Sequence, residues 1–217
     1  MDMGKALDIK AYKHVISLTS TVVISPETSY RRQGVVRVHP LANEITPATV
    51  GGKGYSLYRM SDVGLDVPHA LCLPVSLWEI WRALSDDAMK PHLDSLVYCA
   101  LRNLASPPFV AVRSGAAVSM PGMMDTLLGV EGKVDNVREA VRAIFKSFDS
   151  DRCQAYRQAH KIGPIGTAVI IQQMCPPPQG AGVVYSVDPV PGKGWGLYGE
   201  WVANAYGEAL VGGRVTP

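Results

Sequence analysis

Residues 109–130 read FVAVRSGAAVSMPGMMDTLLGV, and this stretch guides the interpretation of the rest of the chain. Its first four residues form a short apolar run, which predicts a buried strand that ends at Arg113. A guanidinium at the end of a buried strand needs a partner or a cleft, because an isolated buried charge is costly. The pattern fits two roles equally well: a structural ion pair, or a bidentate grip on phosphate oxygens.

Residues 114–126 follow this strand and combine small residues with two glycines, one proline and three methionines. No apolar period of 2 or 3.6 residues runs through the segment, so it is expected to be a mobile loop. Loops of this kind often close over a cleft as lids that exclude water. The alternative is a surface loop whose methionines pack locally.

A second candidate segment is GGKG at residues 51–54, which leads into a predicted helix. The absence of Cβ atoms at Gly51 and Gly52 would let backbone N–H groups approach an anion, and Lys53 adds a full charge. The N-terminal end of the following helix is also positive. The spacing is not that of a Walker A loop. Taken alone, the segment also fits an exposed turn that carries a lysine.

The composition indicates a folded protein of one sizeable domain or two small lobes. The 217 residues are 47% hydrophobic and 18% charged, with a net charge of +2. This balance gives no electrostatic case for a nucleic acid or an anionic membrane as partner. The sequence has no stretch of 18 apolar residues and no signal-like N-terminus, and its four cysteines lie far apart. Free thiols and a cytoplasmic location are therefore expected.

The remaining elements follow from apolar periodicity and capping residues. A helix through residues 57–61 is expected to stop at Gly64, and Ser76 with Glu79 predicts a capping box for a helix from about Leu77. Further helices are predicted at 88–104 and 134–148, and strands at 21–24, 35–38, 168–174, 183–187 and 197–203. The letters GWGLYG at 194–199 fit GxGxxG but lack the strand–turn–helix context of a dinucleotide site.

In chain order, six segments resemble the N-terminal nucleotide-binding region of pyruvate phosphate dikinase and the related phosphoenolpyruvate synthase. They are GGKG (51–54), VPHALCLPVSLW (67–78), VAVRSGAAVSMPGMMDTLLGV (110–130), GTAVIIQQM (166–174), GVVYSVDP (182–189) and LYGEWVANAYGEALVGGRVTP (197–217). The resemblance covers residues 50–217, and its most specific part runs from Arg113 to Thr126. Residues 147–162 are similar to the synthase.

The resemblance implies an α+β fold of the ATP-grasp type, in which two lobes hold ATP, here about 50–130 and 131–217, after an extension at 1–45. Lys53 and Arg113 would contact the phosphates. The other implied ATP-binding positions are Gly51 and Gly52, the lid residues Ser119, Gly122 and Met123, the backbone of Gln173, Met174 and Cys175 at the adenine, and Glu200, with Asn204 and Glu208 nearby. ATP and Mg²⁺ are the implied cofactors, but no metal ligand is assigned.

Several parts of the family's pattern are expected to be missing. The family's domain continues past the RVTP ending with a strand that carries metal ligands, and a phosphohistidine domain and a pyruvate-binding barrel also belong to it. Only about forty residues separate Thr126 from Gly166. Two main hypotheses follow: an ATP-binding phosphotransferase fragment, or an inactive pseudoenzyme with a structural, interaction or regulatory role. Residues 1–45 or the truncated edge would then contact a protein partner.

Overall fold

The computed structural model describes residues 36–38, 44–163, 165–175, 179–185, 187, 196–205, 207–211 and 213. The predicted strand at 21–24 and the first two residues of the GWGLYG segment, 194–195, lie outside these residues. The chain divides into two compact units between residues 174 and 175. The mixture of helices with mainly antiparallel sheets confirms the predicted α+β class.

The secondary structure consists of the following elements. The helices are α1 (Pro47–Asp62), α2 (Val75–Ala83), α3 (Asp86–Asn103), α4 (Val134–Phe148), α5 (Asp151–Ala159) and α6 (Gly207–Val211). The strands are β1 (Val36–Val38), β2 (Ala70–Leu73), β3 (Phe109–Gly115), β4 (Thr126–Glu131), β5 (Ala168–Gln173), β6 (Gly180–Tyr185) and β7 (Tyr198–Ala203). Within the described residues, none of the helices is both long and apolar enough to span a bilayer.

The first unit is built on a five-stranded sheet in the order β1-β2-β5-β3-β4. The β1–β2 pair is parallel, and the β2–β5, β5–β3 and β3–β4 pairs are antiparallel. β5 therefore lies in the middle of the sheet, between β2 and β3. The boundary between the two units, after residue 174, differs from the predicted lobe boundary near residue 130. β5 lies beyond residue 130 in sequence, yet it pairs with β3 over its full length and therefore belongs to the first unit.

Alternating residues of β2 and β5 face two separate cores, as expected for strands with side chains on both faces of a sheet, and β3 contributes to the larger core. On one face, Leu71, Val112 and Ile171 belong to a large core that also contains residues of α2, α3, α4 and α5. On the other face, Cys72 and Ile170 belong to a smaller core with α1. Burial raises the pKa of the Cys72 thiol to about 12, so this cysteine is an uncharged core residue.

The predicted amphipathic helix at 134–148 is confirmed, and its apolar stripe is buried in the large core. The predicted capping box of Ser76 and Glu79 is wrong. α2 begins at Val75, and its N-cap is Pro74, with no side-chain capping hydrogen bond. Proline fixes φ and cannot donate a hydrogen bond, so Pro74 ends β2 and lets the helix start at the next residue.

The second unit contains the antiparallel β6–β7 pair and the short α6 helix. Leu210 of α6 is buried, and α6 packs on β6. Several apolar side chains of this unit remain exposed: Val184 (71%), Tyr185 (45%), Leu197 (83%) and Trp201 (66%).

Candidate functional site

A cavity of about 630 Å³ lies between α1 and the connection from β3 to β4. One wall consists of Gly52, Lys53, Ser56, Leu57 and Met60 of α1. The other wall consists of residues 113–122 and 124. The two segments that stood out in the sequence therefore face one common space. Lys53 and Arg113 both line this cavity, one on each wall, and their contact with phosphates stays a prediction.

Gly51 brings these two walls together. Its φ of 71° and ψ of 160° interrupt the helical geometry of α1, so a helical turn over 47–50 precedes a second segment that begins at the cavity. A Cβ atom at Gly51 would lie 1.8 Å from the carbonyl oxygen of Gly115. Next to it, the Gly52 N–H donates a hydrogen bond of 2.9 Å to the carbonyl of Ala116. Both glycines thus serve the contact between helix and strand.

This differs from the role predicted for the two glycines. The Gly52 N–H is already a donor to protein and is not free for a phosphate, and Gly51 does not line the cavity. The helix also begins earlier than the sequence indicated, because Thr46 is its N-cap and forms a capping box with Thr49, and Pro47 is its first residue. The GGKG segment is therefore a kink inside a helix rather than the loop before one.

Lys53 carries the first positive charge of the cavity. Its side chain reaches solvent through the opening, yet the surrounding walls remove part of its hydration. Burial, and secondly the charge of Arg113, lower the pKa of Lys53 from its ordinary value of 10.5. Arg113 lines the same cavity, and its positive charge disfavours the charged form of Lys53. Among the described residues, no carboxylate forms an ion pair with Lys53.

Arg113 carries the second charge and is half-buried on β3. Its Nη1 donates a hydrogen bond of 3.2 Å to Oε1 of Gln172. Within the described part of the chain, Arg113 forms no ion pair, so the structure gives no support there for the alternative that it is a structural ion-pair residue. Arg138 shows the contrast: it is buried and bonded to Asp94, Asp135 and Glu139. These carboxylates raise its pKa.

The β3–β4 connection contributes two of the three predicted lid residues. Ser119 and Gly122 line the cavity and are exposed, whereas Met123 does not line it. The Met123 side chain packs against the large core, and its carbonyl accepts a hydrogen bond of 3.1 Å from Arg152 Nε. Met120 is buried in the same core, which anchors the middle of the segment. The mobility of this segment stays a prediction.

The residues expected at the adenine do not line this cavity. The Gln173 N–H donates to the carbonyl of His69 at 2.9 Å, and the Met174 N–H donates to that of Phe109 at 3.3 Å. Cys175 is exposed and belongs to the second unit. Any hydrogen bond from these two N–H groups to a base would have to replace one that exists, so the adenine contact stays a prediction.

Glu200 and its neighbours also belong to the second unit. The Glu200 carboxylate accepts a hydrogen bond of 2.8 Å from the Tyr198 hydroxyl. Asn204 has a φ of 53°, and its N–H donates to the carbonyl of Gln179. The side chain of Glu208 lies outside the described residues. Within the described residues, no three His, Cys, Asp or Glu side chains lie together as a metal site.

Three cavity residues were not expected from the sequence, namely Ser56 and the apolar pair Leu57 and Met60, and neither was Gln172, which contacts Arg113 without lining the cavity. Gln172 left one signal: it is a polar residue directly after the apolar run 168–171 of a buried strand. Ser114 was also not expected. It lines the cavity, and its buried hydroxyl has no hydrogen-bond partner among the described residues. An unsatisfied buried hydroxyl is costly and suits a polar ligand.

The cavity residues fit phosphate groups better than a metal ion. Two cations, several hydroxyls and glycines suit phosphate oxygens. Mg²⁺ prefers carboxylate oxygens together with phosphate and water, and none of the described cavity residues is acidic. These residues are therefore suited to the triphosphate of a nucleotide and do not supply a magnesium site.

The lowered pKa of Lys53 predicts a pH dependence of stability. Between that lowered value and 10.5, the unfolded chain holds a proton on Lys53 that the folded chain has released. Because the unfolded state binds more protons there, the contribution of Lys53 to the free energy of unfolding rises with pH across this window. Urea unfolding of the wild type and of Lys53→Met should show the wild type gaining relative to the variant as the pH approaches 10.5. A difference that does not change with pH would contradict the shift.

The family match found for this chain includes Arg113 and the β3–β4 connection and begins after α1 and Lys53. The family model described as pyruvate phosphate dikinase, AMP/ATP-binding domain, matches residues 77–217. Pyruvate, phosphate dikinase 1, chloroplastic, of Arabidopsis thaliana is 27% identical over 282 residues, covering 81% of this chain and 29% of the relative. The protein of Mesembryanthemum crystallinum is 24% identical over 309 residues, covering 92% of this chain and 32% of the relative.

The alignments also show how this chain differs from its relatives. It spans about 29% of the length of the first curated relatives that it matches. An alignment of 282 residues exceeds the whole 217-residue chain, so the relatives contain segments that this chain lacks. The family match itself covers well over half of the chain. The chain therefore belongs to the pyruvate phosphate dikinase AMP/ATP-binding domain family.

Proposed function

We propose that this chain is an ATP-binding module and that the cavity between α1 and the β3–β4 connection receives the phosphates of ATP. The observation that carries the proposal is the pair of cations in one cavity, Lys53 and Arg113, neither of which has an acidic partner among the described residues. Two nearby like charges repel each other in the free protein. A polyphosphate relieves that repulsion and supplies the missing counter-charge.

In this proposal each part of the cavity has a separate task. Arg113 forms paired hydrogen bonds to phosphate oxygens, and Lys53 adds a point charge. Ser119 and Gly122 belong to a segment that closes over the bound phosphates and keeps water away. An ATP-grasp arrangement, with adenine at Gln173–Cys175 and Glu200 near the nucleotide, is the finer form of the same proposal.

The corresponding reaction is transfer of a phosphoryl group from ATP to a histidine on another domain or chain. Such transfer depends on positioning and on neutralisation of charge at the transferred group. Lys53 and Arg113 would supply that neutralisation, and Mg²⁺ would add to it from ligands beyond this cavity. We propose that the 217-residue chain alone is not a complete dikinase, since it spans only about 29% of the length of its curated relatives.

Titration calorimetry with ATP, pyrophosphate and AMP, each with and without Mg²⁺, tests this function. We expect ATP and pyrophosphate to bind with dissociation constants on the order of 0.1–1 mM, equivalent to about 4–5.5 kcal/mol. AMP should bind more weakly, because it lacks the β- and γ-phosphates. Equal binding of AMP and ATP, or no binding of ATP at several millimolar, would contradict a cavity that recognises polyphosphate.

A second candidate is an inactive member of the family that acts as an interaction module. The exposed apolar side chains of the second unit favour it, because large apolar groups such as Trp201 at 66% exposure and Val184 at 71% often mark a contact surface. A partner protein would then cover β6 and β7. Absence of ATP binding, together with a stable complex that Trp201→Lys abolishes, would favour this candidate over the first.

A further inference from the structure

Gln172 is a buried polar side chain in the central strand of the first unit. The four preceding residues of β5 are all apolar and fully buried, and Gln172 is 5% exposed. A buried amide costs free energy unless both of its ends are hydrogen-bonded. Here both ends are used: Oε1 accepts from Arg113 Nη1 at 3.2 Å, and Nε2 donates to the carbonyl of Pro68 at 3.3 Å.

The strand register explains why these two side chains meet. β3 and β5 are antiparallel, with Ala111 opposite Gln172 and Arg113 opposite Ile170. Gln172 and Arg113 are therefore diagonal neighbours on the same face of the sheet, within reach of long side chains. The small side chain of Ala111 leaves room for the amide to lean toward Arg113. The bond to Pro68 ties the other end of the amide to the segment before β2.

The chemistry of the acceptor matters as much as its position. A carboxylate at this place would orient Arg113 but would also neutralise it, as the carboxylates around Arg138 do. An amide oxygen orients the guanidinium and leaves its charge available. One Nη group is held by the protein, and the other N–H groups remain for a ligand.

We infer that Gln172 is a positioning residue, which holds the Arg113 guanidinium at the cavity wall in a charged, ligand-ready orientation. This inference rests on the proposed phosphate-binding function. Gln172 acts through Arg113 and need not touch the ligand. Its effect on ligand binding should therefore disappear when Arg113 is absent.

The test uses Gln172→Met, which keeps the length of the side chain and removes the acceptor. Pyrophosphate affinity, measured by calorimetry on the full chain, should fall about fivefold, the effect of losing one orienting hydrogen bond. In the Arg113→Ala background the same change should alter the affinity by less than about twofold, because coupled residues are not additive. Thr167→Val is the matched control: it removes a buried hydroxyl bonded to the Ala168 carbonyl and does not line the cavity.

A second measurement, the pKa of Lys53, needs no ligand. A purely structural role of Gln172 would leave this pKa unchanged. If Arg113 leaves its position in Gln172→Met, its repulsion of Lys53 weakens and the pKa of Lys53 rises toward 10.5. The pKa can be followed by NMR of the lysine Cε signal, assigned with a Lys53→Arg variant. Thr167→Val should leave it unchanged.

The outcomes separate this inference from the proposed function. If the wild type binds pyrophosphate, and the folded Gln172→Met variant shows unaltered affinity and an unaltered Lys53 pKa, the positioning role is overturned while phosphate binding stands. An equal loss of affinity with and without Arg113 also overturns it. A wild type that binds no pyrophosphate overturns the proposed function and this inference together.

Discussion

Replacing Gly51 with alanine is expected to lower the free energy of unfolding by about 3–5 kcal/mol, at the upper end for single substitutions. Two costs combine. A φ of 71° with a ψ of 160° lies in a region that is essentially restricted to glycine, and it costs a residue with a Cβ roughly 1–3 kcal/mol. The added Cβ would also lie 1.8 Å from the carbonyl oxygen of Gly115, a backbone atom that cannot rotate away. The helix must therefore move off the end of β3, which would also open the cavity.

Two other glycines separate these costs and serve as controls. At Gly64 the φ is 82°, but a Cβ added there would have no atom within 4 Å, so alanine should show the conformational cost alone. At Gly52 the nearest contact is 3.5 Å, an ordinary van der Waals distance, so alanine should be nearly neutral. Urea unfolding of the three variants measures how far each substitution lowers the free energy of unfolding, with Gly51→Ala expected to lower it most. If Gly51→Ala costs no more than Gly64→Ala, the close packing of α1 on Gly115 is wrong.

The parts of the fold that the sequence predicted best are those with strong local patterns. The stripe of Val137, Val141 and Phe145 defines α4 without any tertiary information, since it repeats with the helical period. The apolar runs of β3 and β5 identify them as buried strands. The start of α2 differs from the prediction because the helix already begins at Val75, after Pro74, so Ser76 lies in its first turn and is not the N-cap.

The charged residues of the site could be predicted from the sequence, whereas the strand register and packing around them could not. Lys53 and Arg113 stand out because each is a cation at a glycine-rich or strand-end position. The partner of Arg113 could not be predicted, because it depends on the register between β3 and β5, which are separated by more than fifty residues. For the same reason the sequence could not show that Gly51 packs against Gly115.

Replacing Lys53 with methionine is expected to weaken ATP and pyrophosphate binding by roughly 10- to 100-fold, because a charge-assisted hydrogen bond to phosphate contributes about 1.5–3 kcal/mol. The fold should survive without loss of stability. Partial burial and Arg113 both lower the pKa of Lys53, which means that its charge is less favourable in the folded chain than in water. Removing that charge relieves the repulsion and keeps most of the apolar stem.

The combination of lost binding and retained stability is what distinguishes a binding cation from a structural one. Removing the charge of Arg138, which has three carboxylate partners, should instead destabilise the fold. Lys90→Met on α3 is the matched control for Lys53→Met, since it changes the net charge equally at an exposed position outside the cavity. Calorimetry and urea unfolding should find it close to the wild type. If Lys53→Met and Lys90→Met weaken ATP binding equally, the phosphates are attracted by overall charge and not held in this cavity.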